Sequence, residues 1–220
     1  MELAVVGIDG FDPRIADYFL RKGYLSRFAE LFEEAELGPM ASRHEGHEEP
    51  QTGPAWTTIY TGLRAAEHGV TQGGWHDGDV SLEPHFEQTI FADLADRDLR
   101  VGSLTMPITY PAIARENSWM VSGFPATQVS DEIAAPTELL SYLPDEFKDL
   151  QARSLLNPPG EQPSPASKWA AAEDRKLEIL DSILADYETD VLFYGSQITD
   201  VVGHRAGYYP PKLNGAVRLA

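Results

Sequence analysis

Three short segments hold residue types that chemistry needs. Asp9 closes the apolar run at residues 3–8 and precedes Gly10. A carboxylate at the carboxyl end of a strand, followed by glycine, is a common ligand position for a hard cation; Asp-Gly is equally a plain turn signal. Thr52 stands just before Gly53-Pro54 and the short run to Thr61. A hydroxyl there is either an N-cap or a nucleophile. The helix N-terminus would give it positive potential and free N–H groups that suit a phosphate. A hydroxyl has too high a pKa to ionise unaided, so the nucleophile reading needs a metal on that oxygen. Asp200 and His204 lie four residues apart in Asp200-Val201-Val202-Gly203-His204. On a helix they converge, and oxygen plus nitrogen donors suit zinc or another first-row divalent ion. On a solvated turn the same pair has no special role.

The elements around these segments alternate. Residues 3–8 (Leu-Ala-Val-Val-Gly-Ile) read as a strand buried on both faces. Residues 13–35 carry helical spacing through Ile15, Phe19, Leu20, Leu25, Phe28, Leu31 and Phe32, broken at Gly23. Residues 36–53 read as loop, and 54–61 as a short helix with proline in its first turn. Residues 87–97 form an amphipathic helix with Phe86, Ile90, Phe91 and Leu94 on one face, and 100–104 and 118–122 follow as strands. The four prolines of 157–165 mark a loop. Residues 166–187 give the clearest helix, through Trp169, Leu177, Leu180, Ile183 and Leu184, and 190–194 give a second buried strand. The tail from Tyr208 starts what reads as a helix. Strands alternating with helices predict an α/β domain with a mostly parallel sheet. In such a sheet ligands bind beyond the carboxyl ends of the strands, which singles out Asp9 and Asp200.

Composition narrows the classes. The 220 residues are 42% hydrophobic, enough for a sizeable core and against wholesale disorder. Cysteine is absent, so disulfides, thiolate metal sites and cysteine nucleophiles are excluded. No run approaches a membrane span, and the start enters an apolar run without a basic flank, which predicts no leader and a cytoplasmic protein. The 35 acidic against 17 basic residues give −18, spread along the chain, and only five of the basic residues are lysine. Such a field repels nucleic acid and anionic membranes, and repels a phosphate ester unless a metal or a local arginine reverses its sign. Distributed acidity with few lysines also resembles proteins of salt-loving organisms.

Read in order, the segments resemble the alkaline phosphatase superfamily, in its type I phosphodiesterase and nucleotide pyrophosphatase branch. The order is strand-Asp-Gly at Asp9, Thr-x-Pro-x-x-x-Thr-x-x-Thr-Gly from Thr52, His68-Gly69-Val70, and the late Asp-x-x-Gly-His from Asp200. Met106-Pro107-Ile108-Thr109-Tyr110-Pro111 and Ser122-Gly123-Phe124-Pro125 also look like prokaryotic members of this branch. The resemblance implies a three-layer α/β/α fold and a small phosphate-ester substrate. It further implies two divalent metal ions, usually zinc and sometimes manganese. By motif match, Asp9 and Thr52 would touch one metal, Asp200 and His204 the other. Thr52 would be the nucleophile, passing through a phospho-threonine intermediate. The sulfatase branch fits worse, because its nucleophile is a Cys or Ser converted to formylglycine.

The family's site takes three more ligands, an Asp-His pair and a further His. No histidine follows His204 and no aspartate follows Asp200. The resemblance therefore implies a single partial domain over 1–220, lacking the C-terminal part, with 71–86 and 125–165 as insertion or cap segments. It leaves open an active enzyme, a non-catalytic half-domain with at most one metal, and a half completed by a second copy or a C-terminal partner. His44 and His47 read as solvated, His76 and His85 as surface residues, and His68 as structural beneath the Thr52 helix. Trp56 and Tyr60 are candidates to stack on a base or sugar, with a core role as the alternative.

Overall fold

The computed structural model describes residues 1–36, 38, 50–71, 81–124, 126, 130–150 and 166–206. His44, His47, His76, the proline-rich 157–165 and the tail from Tyr208 lie outside the described residues. Among those described, the elements in chain order are β1 (Leu3–Ile8), α1 (Pro13–Arg21), α2 (Ser26–Glu34), α3 (Thr52–Thr61), α4 (Ala65–His68) and α5 (Ile90–Ala95). They continue with β2 (Val101–Leu104), β3 (Ser118–Val121), β4 (Ala134–Ala135), α6 (Ala166–Asp186), β5 (Val191–Ser196) and α7 (Ile198–Ala206), with 3-10 turns between.

The strands form one sheet in the order β1-β5-β2-β3-β4. All pairs are parallel except β3 with β4, which runs antiparallel. Alternation along β5 assigns its two faces. Phe193 meets Phe91 of α5 edge-on with ring centroids 4.8 Å apart, and Phe91 in turn packs on Tyr60 of α3. Tyr194 points to the other face, where its hydroxyl donates to Glu173 of α6 at 2.8 Å. Helices thus cover both faces of the sheet, in the three-layer α/β/α architecture expected of an alkaline-phosphatase-like fold.

Local signals explain most boundaries. Asp12 caps α1 by accepting the Arg14 backbone N–H at 2.8 Å, and Pro13 occupies the first helical position. The helical pattern of 13–35 breaks at Gly23, whose φ of +75° is the left-handed value that favours glycine. The expected helix at 87–97 is shorter: a 3-10 turn at Glu83–Gln88 precedes α5, which Thr89 caps. Ile90, expected on the buried face, is exposed, while Phe86 and Phe91 enter the core.

β1 also departs from expectation. The strand reads as buried on both faces, yet it is the edge of the sheet, and Val6 is 60% exposed. Only β5 pairs with it among the described residues, so its outer backbone edge meets no strand there. β5, expected to be buried, is buried from Val191 to Gly195.

Candidate active site

The site forms at the carboxyl ends of β1 and β5, where the chain leaves each strand. Asp9 is the first residue after β1. Its backbone N–H donates to the Ser196 carbonyl at 2.8 Å, and its own carbonyl accepts the Thr199 hydroxyl. These bonds tie the β1 turn to the start of α7. The Asp9 carboxylate has two side-chain donors: Trp56 Nε1 reaches Oδ1 at 3.1 Å, and Thr52 Oγ1 reaches Oδ2 at 3.4 Å, a long hydrogen bond. Burial, first, and the charge of Asp200, second, push the Asp9 carboxyl up to about 6, against the opposing effect of its hydrogen bonds.

Thr52 is the first residue of α3, and Gln51 takes the N-cap position. The hydroxyl expected just before the helix therefore sits just inside it, turned to Asp9. Further along, Thr57 and Thr61 bond back to the Gly53 and Thr57 carbonyls. Beneath the helix lies His68, buried, with Nε2 3.0 Å from Thr58 Oγ1 and Nδ1 accepting the Val70 N–H. Accepting at Nδ1 leaves the proton on Nε2, so Thr58 is the acceptor. His68 thus braces α3 from below. His85 is half-buried, its ring edge-on to His68, rather than on the surface.

Trp56 and Tyr60 are core residues, 7% and 2% exposed. Burial leaves neither ring face for a base or sugar to stack on. The Trp56 indole lies over Gly7, where an added Cβ would come within 2.5 Å of it. Tyr60 donates its hydroxyl to the Pro107 carbonyl at 2.7 Å. Asp200 and His204 lie on one face of α7, His204 Nε2 3.5 Å from Asp200 Oδ1. The fold thus brings Asp9, Thr52 and Asp200 to one sheet edge, with His204 one helical turn beyond Asp200.

The turn after β2 has only a weak signal in the sequence. Thr105 and Ile108 hold φ values of +54° and +66°, unusual for β-branched residues and costing about 1–3 kcal/mol each. Hydrogen bonds enforce the turn: Thr105 Oγ1 to the Gly195 carbonyl at 2.8 Å and Thr109 Oγ1 to the Met106 carbonyl at 2.7 Å. It adjoins the site because β2 pairs with β5. Only the run 106–111 signalled it, and that signal gave no hint of backbone strain.

The donor chemistry fits a divalent cation. Two carboxylates close enough for one to raise the pKa of the other invite a positive charge between them, and a hydroxyl and an imidazole lie alongside. No group of three or more His, Asp or Glu side chains gathers among the described residues, so Asp9, Asp200 and His204 do not by themselves make a coordination sphere there. No described helix is long and apolar enough to cross a membrane.

No curated protein and no solved structure matches the chain. The family model described as type I phosphodiesterase / nucleotide pyrophosphatase, a phosphoester-processing family, matches residues 3–220. The match spans the Asp9 strand, the Thr52 helix and the Asp200 helix together, and so the chain belongs to the type I phosphodiesterase / nucleotide pyrophosphatase family.

Proposed function

We propose that this chain is a metal-dependent phosphoesterase that uses Thr52 as its nucleophile and passes through a phospho-threonine intermediate. One observation carries the reading: Thr52 Oγ1, at the start of α3, faces Asp9 Oδ2 at 3.4 Å, within the electrostatic reach of Asp200 on Asp9. Asp9 and Thr52 would hold one divalent cation, and Asp200 and His204 a second, with zinc the best match to the mixed oxygen and nitrogen donors. When bound, such cations supply Lewis acidity that lowers the pKa of the hydroxyl and offsets phosphoryl charge.

The chain's own residues do the rest. Asp9 orients the Thr52 hydroxyl, and Trp56 fixes the Asp9 carboxylate. The N-terminus of α3 directs free N–H groups toward the phosphoryl group. Thr52 Oγ1 loses its proton to water and attacks phosphorus. The bond from phosphorus to the ester oxygen breaks, and the alcohol departs with that electron pair and gains a proton from water. A water molecule then attacks the phospho-threonine, releasing the phosphate product and restoring the hydroxyl. Segments 71–86 and 125–165 act in this reading as insertions that select the substrate's remaining group.

The test is hydrolysis of bis(p-nitrophenyl) phosphate with and without zinc or manganese. Cation-dependent cleavage lost in Thr52→Ala supports the reading; full activity in that variant removes Thr52 from it.

A second reading has its own observation. Among the described residues, the outer edge of β1 pairs with no strand, Val6 is exposed, and the adjacent site gathers too few ligands to close a metal sphere. In this reading the chain is a half-site, completed by a second copy or a separate partner that pairs with β1 and brings further ligands. Two tightly bound divalent ions per isolated monomer would count against it.

A further inference from the structure

Gln197 is the residue that the chemistry above leaves unused. Its side chain is 2% exposed, and among the described residues neither Oε1 nor Nε2 has a hydrogen-bond partner. A buried carboxamide with two unmade donors and an unmade acceptor is costly, and native proteins rarely keep one without a purpose. Its backbone, by contrast, is fixed: the Gln197 carbonyl accepts the Val201 N–H at 3.0 Å in the first turn of α7.

The sheet register places this side chain. β1 and β5 pair in parallel, with Gly7 opposite Gly195 and Ile8 opposite Ser196. The Asp9 N–H to Ser196 carbonyl bond carries the ladder one step past the last pair. Gln197 therefore stands in register with Asp9, one strand spacing away, and in-register residues of parallel strands rise from the same face. On that face Asp9 meets Thr52 and Trp56. The neighbouring Asp9 oxygens are already served by those two donors, and the carboxamide is spent on neither.

We propose that Gln197 is a substrate-binding residue whose Nε2 donates to a non-bridging oxygen of the phosphoryl group presented to Thr52. The inference rests on the phosphoesterase reading. Charge favours a donor at this position. Asp9 and Asp200 are both acidic and cannot donate when ionised, so an incoming phosphoryl oxygen needs N–H groups beside the cation ligands. A carboxamide supplies them without adding a charge that would compete for the metal.

The test measures two quantities on the full chain: the melting temperature without ligand, and the affinity for inorganic phosphate in the presence of zinc by titration calorimetry. Gln197→Met removes an unpaired polar group from a buried position. It is expected to melt at or above the wild-type temperature and to bind phosphate about tenfold to a hundredfold more weakly. A packing role would move the two the other way, lowering the melting temperature and leaving phosphate affinity unchanged. If the methionine variant does not fold, Gln197→Glu decides. It keeps the shape, adds an anion and is expected to lose phosphate binding more severely. Phosphate bound equally well by wild type and variant overturns the Gln197 assignment alone. A wild type that binds no phosphate overturns the phosphoesterase reading with it.

Discussion

The Trp56 indole N–H donates to Asp9 Oδ1 at 3.1 Å while the same ring lies over the Cα of Gly7, two residues before Asp9. The bare backbone at Gly7 lets the indole approach, and the indole then sets the carboxylate that faces Thr52. Gly7→Ala is expected to push the ring away, at about 1–3 kcal/mol of stability. Trp56→Phe is expected to keep most of the packing and lose the donor, at about 1 kcal/mol. In both variants the Asp9 carboxyl should titrate above about 6, because a hydrogen bond that favours its charged form is lost. Denaturant melts and a carboxyl NMR titration check the two parts.

A pH dependence follows from Asp9 in the cation-free chain. Burial and Asp200 raise its carboxyl from 3.8 to about 6. Between those values the folded chain binds more protons than the unfolded one, so stability falls as pH rises from about 4 to about 6 and stays lower above that. The difference between the folded and the ordinary carboxyl corresponds to about 3 kcal/mol. Asp9→Asn should remove this slope and stabilise the cation-free chain at neutral pH. Zinc should stabilise the wild type more at neutral pH than near pH 4, where a proton competes for Asp9. Melts across this range, with and without zinc, are the check.

Much of the frame was legible in the sequence because it is written in local signals. The apolar runs of β1 and β5, the break at Gly23 and the four-residue spacing of Asp200 and His204 depend on nearby residues alone. What long-range pairing decides was not legible. A strand as apolar as β1 reads as central, yet its neighbours make it an edge. Thr52 reads as a cap or as a nucleophile, and only the fold turns its hydroxyl to Asp9, 43 positions away. Trp56 was open to a stacking role until the glycine beneath it showed where the ring lies. Gln197 carries no sequence signal at all; its register with Asp9 and its lack of partners among the described residues come from the fold alone.

On the opposite face, Lys176 is 1% exposed and pairs with Glu173, which also accepts the Tyr194 hydroxyl. Removing one partner leaves an uncompensated buried charge. Glu173→Ala is expected to destabilise by about 3–5 kcal/mol, whereas Lys176→Met with Glu173→Leu should recover most of the loss. Equilibrium unfolding of the single and double variants measures the difference. The group lies across the sheet from Thr52, so none of these changes should alter phosphate affinity in folded protein.

In the proposed reaction the phosphoryl group passes through Thr52. The most direct measurement is intact-mass and peptide mass spectrometry of the zinc-loaded chain, acid-quenched during turnover of bis(p-nitrophenyl) phosphate. A p-nitrophenylphosphoryl adduct mapped to Thr52 is expected, absent without cation and absent in Thr52→Ala. Substrate turnover with Thr52 unmodified, or equal turnover by Thr52→Ala, would contradict it.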